Sequence, residues 1–340
     1  MDPQSAKYAA TRVCDFLLSS TNPTETLLAD CDALLTTVAA FSSTLDVIRA
    51  AFRVPCGDFV PVKFMLEYLF SRGFVAKLRD ILVVVHGPLS SSAPILLLVQ
   101  TALSFLEFVT QEGIFRLWAD HESGENTVVK VLQETDLAGI VTMIDSLCMF
   151  SGPSRIAATL RPQPIEIVRA GVSVMRILNS IASYHLDVIQ STLSSSLRAD
   201  FLHMIVFWLS HYHTWHAGAL TTISGEEECE AEALVAELLT LLGYFSLFNQ
   251  ENQNLLRFGT SPVILQLVCE LPFRFLSDPR LADIFFPTLM AGFLNNVENK
   301  RIVEANVSPL FFQKYLAKAH NRVDAVGTFN GRFPRGSWEI

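Results

Sequence analysis

Along most of this chain apolar residues return every three or four positions and are interrupted by short polar corners, the period of helices with one buried face. Asn22-Pro-Thr-Glu25 reads as a helix start, with Asn22 at the N-cap, Pro23 in the first turn and Glu25 closing a capping box. Leu27, Leu28, Cys31, Leu34, Leu35 and Val38 follow on one face. After Pro55-Cys-Gly57, residues 65–70 and 75–85 predict two helices, broken at Gly73 and stopped at Gly87-Pro88. Residues 94–109 are apolar nearly all round, which suits a helix lying between layers. A polar stretch at 119–128 containing Gly124 predicts a loop, 128–150 a helical region, and Ser151-Gly-Pro-Ser154 a break. Beyond it, 165–183 predicts a long helix with a buried partner at 201–209. No segment alternates between hairpin turns, so strands are not expected.

From 233 to 319 the pattern repeats. Shifted by 47 residues, 239–269 falls on 286–316 with eight identities in 31 positions. Ordinary residue usage would give about two. Asn249 meets Asn296, Asn252 meets Asn299, Ser261-Pro262 meets Ser308-Pro309 and Gln266 meets Gln313. Each copy reads as an apolar helix, an Asn-rich corner, a short helix, and Ser-Pro opening another helix with Ser at the N-cap and Pro in the first turn. A period of this length with two or three helices per unit is that of armadillo and HEAT arrays. Such units cannot bury their apolar faces alone and must stack. The expected fold is therefore all-α, an armadillo/HEAT-like α-solenoid. Ile177-Leu-Asn-Ser-Ile-Ala182 and Leu186-Asp-Val-Ile-Gln190 resemble a more divergent helix and corner. The expected order is an N-terminal helical region (1–58), divergent units (59–225), the repeat pair (226–320) and a tail (321–340).

Two roles are open for the corner amides. A side-chain amide both donates and accepts, so it can hold the backbone of an extended peptide. It can equally cap a helix end. Capping is the favoured role for Asn249, Asn252, Asn296 and Asn299, although Asn252 and Asn299 remain candidates for partner binding. Asn179 stands mid-helix, where helix propensity does not ask for it, and is the stronger peptide-binding candidate.

Half the residues are apolar and 17% are charged, which argues against disorder. The net charge is −9, but it is uneven. From Lys300 onward seven basic residues face three acidic ones, a balance of +4, so the rest of the chain carries −13. Lys300, Arg301, Lys314 and Lys318 are thus candidates for touching phosphate, against the alternative of a merely solvated face. The Glu-rich run at 226–237 predicts an acidic loop entering a helix N-terminus, where negative charge is favoured.

The six cysteines are scattered without Cys-x-x-Cys, as for reduced core thiols. No secretory signal is read at the N-terminus, and residues 93–110, with Gln100 and Glu107 inside, do not suit a membrane span. His211, His213 and His216 have metal-like spacing but no carboxylate or thiol within a helical turn. Nucleophile elbow, Walker loop and dinucleotide fingerprint are all missing. Neither catalysis, nor a cofactor, metal or small-molecule substrate, is expected.

Leu241-Leu-Gly-Tyr-Phe-Ser246, the Asn252-Gln253 corner, Leu271-Pro-Phe-Arg-Phe-Leu-Ser-Asp-Pro-Arg-Leu281, Phe286-Pro-Thr-Leu289, Asn295-Asn-Val-Glu-Asn-Lys300 and Arg332-Phe-Pro-Arg-Gly-Ser-Trp-Glu339 carry a family likeness. They resemble the C-terminal domain of the S-phase cyclin A-associated protein family of the endoplasmic reticulum. The resemblance is dense over 234–316, returns at 332–339 and is thin before 160. It implies a cytoplasmic adaptor, at the endoplasmic reticulum surface or on ribosomes, that helps direct tubulin mRNA decay and has links to cyclin A and its kinase in the cell cycle. The helical C-terminal domain is implied to dock on the ribosome and its nascent-chain-reading partner, with the basic end as the natural face for ribosomal RNA. The family's upstream zinc-finger and membrane-associated segments have no counterpart here, so nothing is carried over from them. The alternative is a peptide-binding module of a membrane-associated protein without a ribosome role.

Overall fold

A computed structural model describes residues 60–111 (save 88, 90 and 91), 126–149, 163–217, 225–259 and 261–321, with a few positions between 38 and 49. The Asn22 capping box and the 321–340 tail lie outside the described residues, apart from Asn321. Every element among the described residues is helical, with no strand. The chain divides into two compact units, residues 1–150 and 151–340.

The first unit holds α1 (Val60–Ser71), α2 (Phe74–Leu82), α3 (Ala93–Val109), α4 (Thr127–Glu134) and α5 (Ile140–Met149). Gly73, at φ 70°, makes the turn between α1 and α2 that a side chain would disfavour. Phe74 meets Phe41 and Phe105 edge to face, each at 5.2 Å, and a tilted Phe41–Phe105 contact at 5.7 Å completes this core cluster. Asn126 begins α4 by accepting from the backbone N–H groups of Val128 and Val129. The helical region expected over 128–150 is in fact interrupted. Asp136, Leu137, Ala138 and Gly139 all have positive φ, forming a buried turn between α4 and α5. Gly139 lies against α2, where an added Cβ would come within 2.7 Å of Val83. Tertiary packing there overrides a helical sequence period.

The second unit is built three times from one plan. A long helix is followed by a corner helix and an outer helix: α6 (Ile165–Tyr184), α7 (Leu186–Ser194) and α8 (Arg198–His216), then α9 (Gly225–Ser246), α10 (Gln250–Leu255) and α11 (Ile264–Cys269). After the short α12 (Arg274–Ser277) come α13 (Pro279–Phe293), α14 (Val297–Asn306) and α15 (Pro309–Asn321). The long helices pack in sequence, α6 on α9 and α9 on α13, while α8 meets α11 and α11 meets α14. Gly171 permits the close approach of α6 to α9, since a Cβ would lie 3.1 Å from Leu234. Thr288 ties α13 back to α9 by donating to the Leu239 carbonyl at 2.7 Å. Residues 165–216 thus show the same order of long, corner and outer helix.

Two local expectations are corrected. Pro309 opens α15, but Pro262 precedes α11 by two residues and follows a cis peptide bond. The intervening chain is a tight loop closed by Ile264 N–H to Phe258 and Leu265 N–H to Leu256, and α11 starts only after it, with Gln266 accepting from the Val263 N–H. The acidic run is not a loop: α9 is already helical from Gly225.

Candidate functional site

The corners show what their amides do. A helix leaves its last four carbonyls without intrahelical partners. In α9 and α13 the chain then turns at a residue with positive φ, Phe248 or Asn295, and Asn249 or Asn296 caps the next helix by accepting from the N–H of Asn252 or Asn299. The capped asparagine reaches back to an orphan carbonyl of its own long helix. Asn252 Nδ2 donates to Phe245 at 2.9 Å, and Asn299 Nδ2 to Gly292 at 2.8 Å. The same amides cross to the preceding copy, Asn252 to the Gln190 carbonyl (3.4 Å) and Asn299 to the Gln253 carbonyl (2.7 Å).

Glutamines reach the other way. Gln190 donates to the Tyr244 and Leu247 carbonyls, and Gln253 to Ser246 and Ala291. Arg257 completes the last junction by donating to the side-chain carbonyls of Asn254, Asn296 and Asn299. Each junction is thus latched in both directions. Asn252 and Asn299 are buried at 1% and 0% exposure, and their amide hydrogens are spent on backbone. Both amides are turned inward, into the junctions between copies. Gln190, Gln253 and Arg257 were not singled out from the sequence. Gln253 could have been, since it adjoins an asparagine that recurs.

Asn179 is also buried, donating to the backbone and side chain of Glu237 on α9, both at 2.9 Å. Its Oδ1 has no hydrogen-bond partner. The acidic start of α9 is paired on both sides. Arg169 meets Glu226 and Glu230, Arg176 meets Glu237, and Arg274 meets Glu228 and Glu232. Glu230, chiefly through its hydrogen bond, and Glu226 raise the pKa of Arg169.

The basic end is arranged differently. Lys300 and Arg301 are exposed on α14, paired with their helix neighbours Glu304 (3.8 Å) and Glu298 (2.9 Å). Lys314 is exposed on α15, and Lys318 lies near its end with its side chain outside the described set. The structure therefore places Lys300, Arg301 and Lys314 on the surface of one copy.

The three histidines of α8 do not converge. His211 is buried and stacks on Phe207, His213 bonds the Leu267 carbonyl at 2.8 Å, and His216 packs against Tyr212 and Trp215. Burial lowers the pKa of His216 and raises that of Tyr212. No group of His, Cys, Asp or Glu among the described residues is placed to hold a metal ion. Nor is any helix among them long and apolar enough to cross a membrane.

The last copy carries an open concavity. An apolar groove of about 280 Å³ runs between α13, α14 and α15, lined by Met290, Phe293, Val303, Val307, Phe312 and Leu316, with Lys300 and Glu304 at its rim.

No protein-family model matches the chain. Compared with curated proteins, it is 26% identical over 265 residues to the human (Homo sapiens) S phase cyclin A-associated protein in the endoplasmic reticulum. The match covers 75% of this chain and falls in the C-terminal part of the relative. The chain is similar to that C-terminal part. It spans only 18% of the length of the relative. The likeness first read from 234–316 and 332–339 thus extends over three quarters of the chain, taking in residues where the sequence resemblance was thin.

Proposed function

We propose that this chain is a non-enzymatic helical adaptor, an armadillo-like array whose inner amides hold its copies together and whose outer faces meet protein and RNA partners. The observation that carries this reading is the match over 75% of the chain to a protein named for association with cyclin A and the endoplasmic reticulum. The corner geometry supports it, because the corner amides are spent on joining one copy to the next. The resemblance implies ribosome association and a part in tubulin mRNA decay, with action in the cytoplasm or at the endoplasmic reticulum surface.

In this reading Lys300, Arg301, Lys314 and Lys318 form the face toward ribosomal RNA. Arg169 and Arg274 pair across to α9, whereas Lys300 and Arg301 pair with Glu304 and Glu298 of their own helix, so phosphate could replace these two carboxylates without opening a junction between copies. Surface pairs of this kind contribute only about 0–1 kcal/mol each. The test is affinity purification of the tagged full chain from cells at low and moderate salt. Co-purifying ribosomal subunits that are lost at higher salt are the expected result. Recovery of cyclin A complexes without ribosomes would keep the adaptor and remove the RNA face.

A further inference from the structure

The apolar groove between α13, α14 and α15 has a covered counterpart one repeat earlier. Shifted by 47 residues, Lys300, Val303, Glu304, Phe312 and Leu316 fall on Gln253, Leu256, Arg257, Leu265 and Cys269. In the middle copy this face receives α13 and the corner that follows it. Leu256 and Leu265 meet α13 at Gly292, where an added Cβ would lie 2.9 Å and 3.8 Å from them. Gln253 donates to the Ala291 carbonyl, an orphan of the last turn of α13. Arg257 donates to the side chains of Asn296 and Asn299, just past the end of α13 at Phe293. Cys269 is 7% exposed, whereas its counterpart Leu316 is 43% exposed.

We propose that the groove takes one amphipathic helix from a partner protein, seated as α13 sits on the middle copy. The counterpart contacts dictate the chemistry of that helix. Phe312 is larger than Leu265 and Val303 smaller than Leu256, so the position of closest approach keeps its need for glycine or alanine. The helix ends over Lys300, whose ammonium donates to the last-turn carbonyls as Gln253 does, and meets the negative end of the dipole. Glu304 stands in the place of Arg257, an acceptor where the middle copy has a donor. The residue at the place of Asn296 is therefore lysine or arginine. Lys300 and Glu304 are 3.8 Å apart on the surface, a loose pair that loses little by turning to these partners. A helix laid into an apolar groove is a recurring mode of recognition. This inference rests on the adaptor reading and names the protein surface that such an adaptor would hold. Arg301 and Lys314 lie outside the groove lining, so the helix and the RNA face can be tested apart.

The probe is a fluorescent peptide of residues 279–299 with Asn296→Lys, stapled on its solvent face so that it stays helical. It is the helix that covers the counterpart face, changed at the one place that must suit Glu304. Titrated with the purified full chain, it should bind about tenfold more tightly than the same peptide with Asn296→Glu. Glu304→Lys in the chain should reverse that order, and Gly292→Leu in the peptide should weaken binding about tenfold or more. Leu316→Glu, an exposed change, should abolish binding while the helical circular dichroism of the chain is kept. In cells, a benzoylphenylalanine photo-crosslinker at position 316 should join the chain to a helical segment of another protein. That segment should carry the glycine or alanine and the basic residue at the stated places, and Glu304→Lys should weaken the crosslink. Equal affinity for the lysine and glutamate peptides overturns the proposal. So does a crosslink confined to residues 322–340 of the same chain or to a second copy, since the groove would then have another occupant. The titration contains no ribosomes, so a failure to associate with them would remove the RNA face and leave this result standing.

Discussion

The corner at 249–257 and the corner at 296–304 share a plan and differ in what stands outside it. In both, an N-cap asparagine presents a second asparagine whose amide closes the end of the preceding long helix. The middle corner continues with Gln253, Asn254 and Arg257, which reach into the next copy. At the same repeat positions the last corner has Lys300, Arg301 and Glu304, all on the surface. An amide can be buried where a following helix offers carbonyls, whereas a lysine there would need a buried counter-charge. The difference separates residues that hold one copy to the next from residues exposed to solvent.

The sharpest way to break this comparison is at the shared asparagine. Asn299→Ala takes the amide donor away from the Gly292 and Gln253 carbonyls, the second of which still accepts from the Leu256 N–H, and removes an acceptor of Arg257. Leaving buried groups unpaired costs about 1–3 kcal/mol each, so chemical denaturation should show a loss of about 2–4 kcal/mol. Gln253→Ala removes the forward reach to Ala291 and should cost about 1–3 kcal/mol by the same measurement. Its repeat counterpart Lys300→Ala should change stability by no more than about 0.5 kcal/mol. Equal losses at Gln253 and Lys300 would mean that burial at the corner does not matter.

A smaller effect sharpens the comparison from outside the corners. No corner amide titrates between about pH 5 and 8, so the Asn299→Ala loss should be the same across that range. The whole chain should nevertheless weaken on acidification. Burial holds the His216 pKa below its ordinary value. The unfolded state therefore binds the proton first, and stability present above about pH 6.5 is lost as pH falls toward the folded-state value. Thermal melts from pH 7.5 to 5 should show a falling midpoint, with a shallower slope in His216→Gln.

Much of the plan was legible in the sequence because the stacking constraint repeats. The 47-residue shift aligned Asn249 with Asn296 and Asn252 with Asn299, and the structure gives each pair one geometry. The third copy was harder to read because Val188 stands near where the later corners carry their inner asparagine, leaving Gln190 to make the forward contact. Pro262 misled for a different reason. Ser-Pro is a good helix opening taken alone, but its place in a tight loop is fixed by backbone bonds from Ile264 and Leu265 to Phe258 and Leu256. The Glu run was misassigned because its partners, Arg169, Arg176 and Arg274, are distant in sequence. Likewise the left-handed turn at 136–139 depends on packing against Val83, which local periodicity does not contain.

The most direct test of the account is ribosome co-sedimentation of Lys300→Glu/Arg301→Glu/Lys314→Glu/Lys318→Glu beside wild type across a salt series, with melting followed on the same samples. Phosphate contacts release counterions, so wild-type binding should weaken steeply with salt, and each lost contact should flatten the slope by about one unit. The account predicts a folded quadruple variant, with its melting midpoint little changed, that no longer sediments with ribosomes. Neutralising Glu226, Glu228 and Glu230 should leave binding intact. A quadruple variant that stays folded and sediments with ribosomes as wild type does would contradict the account.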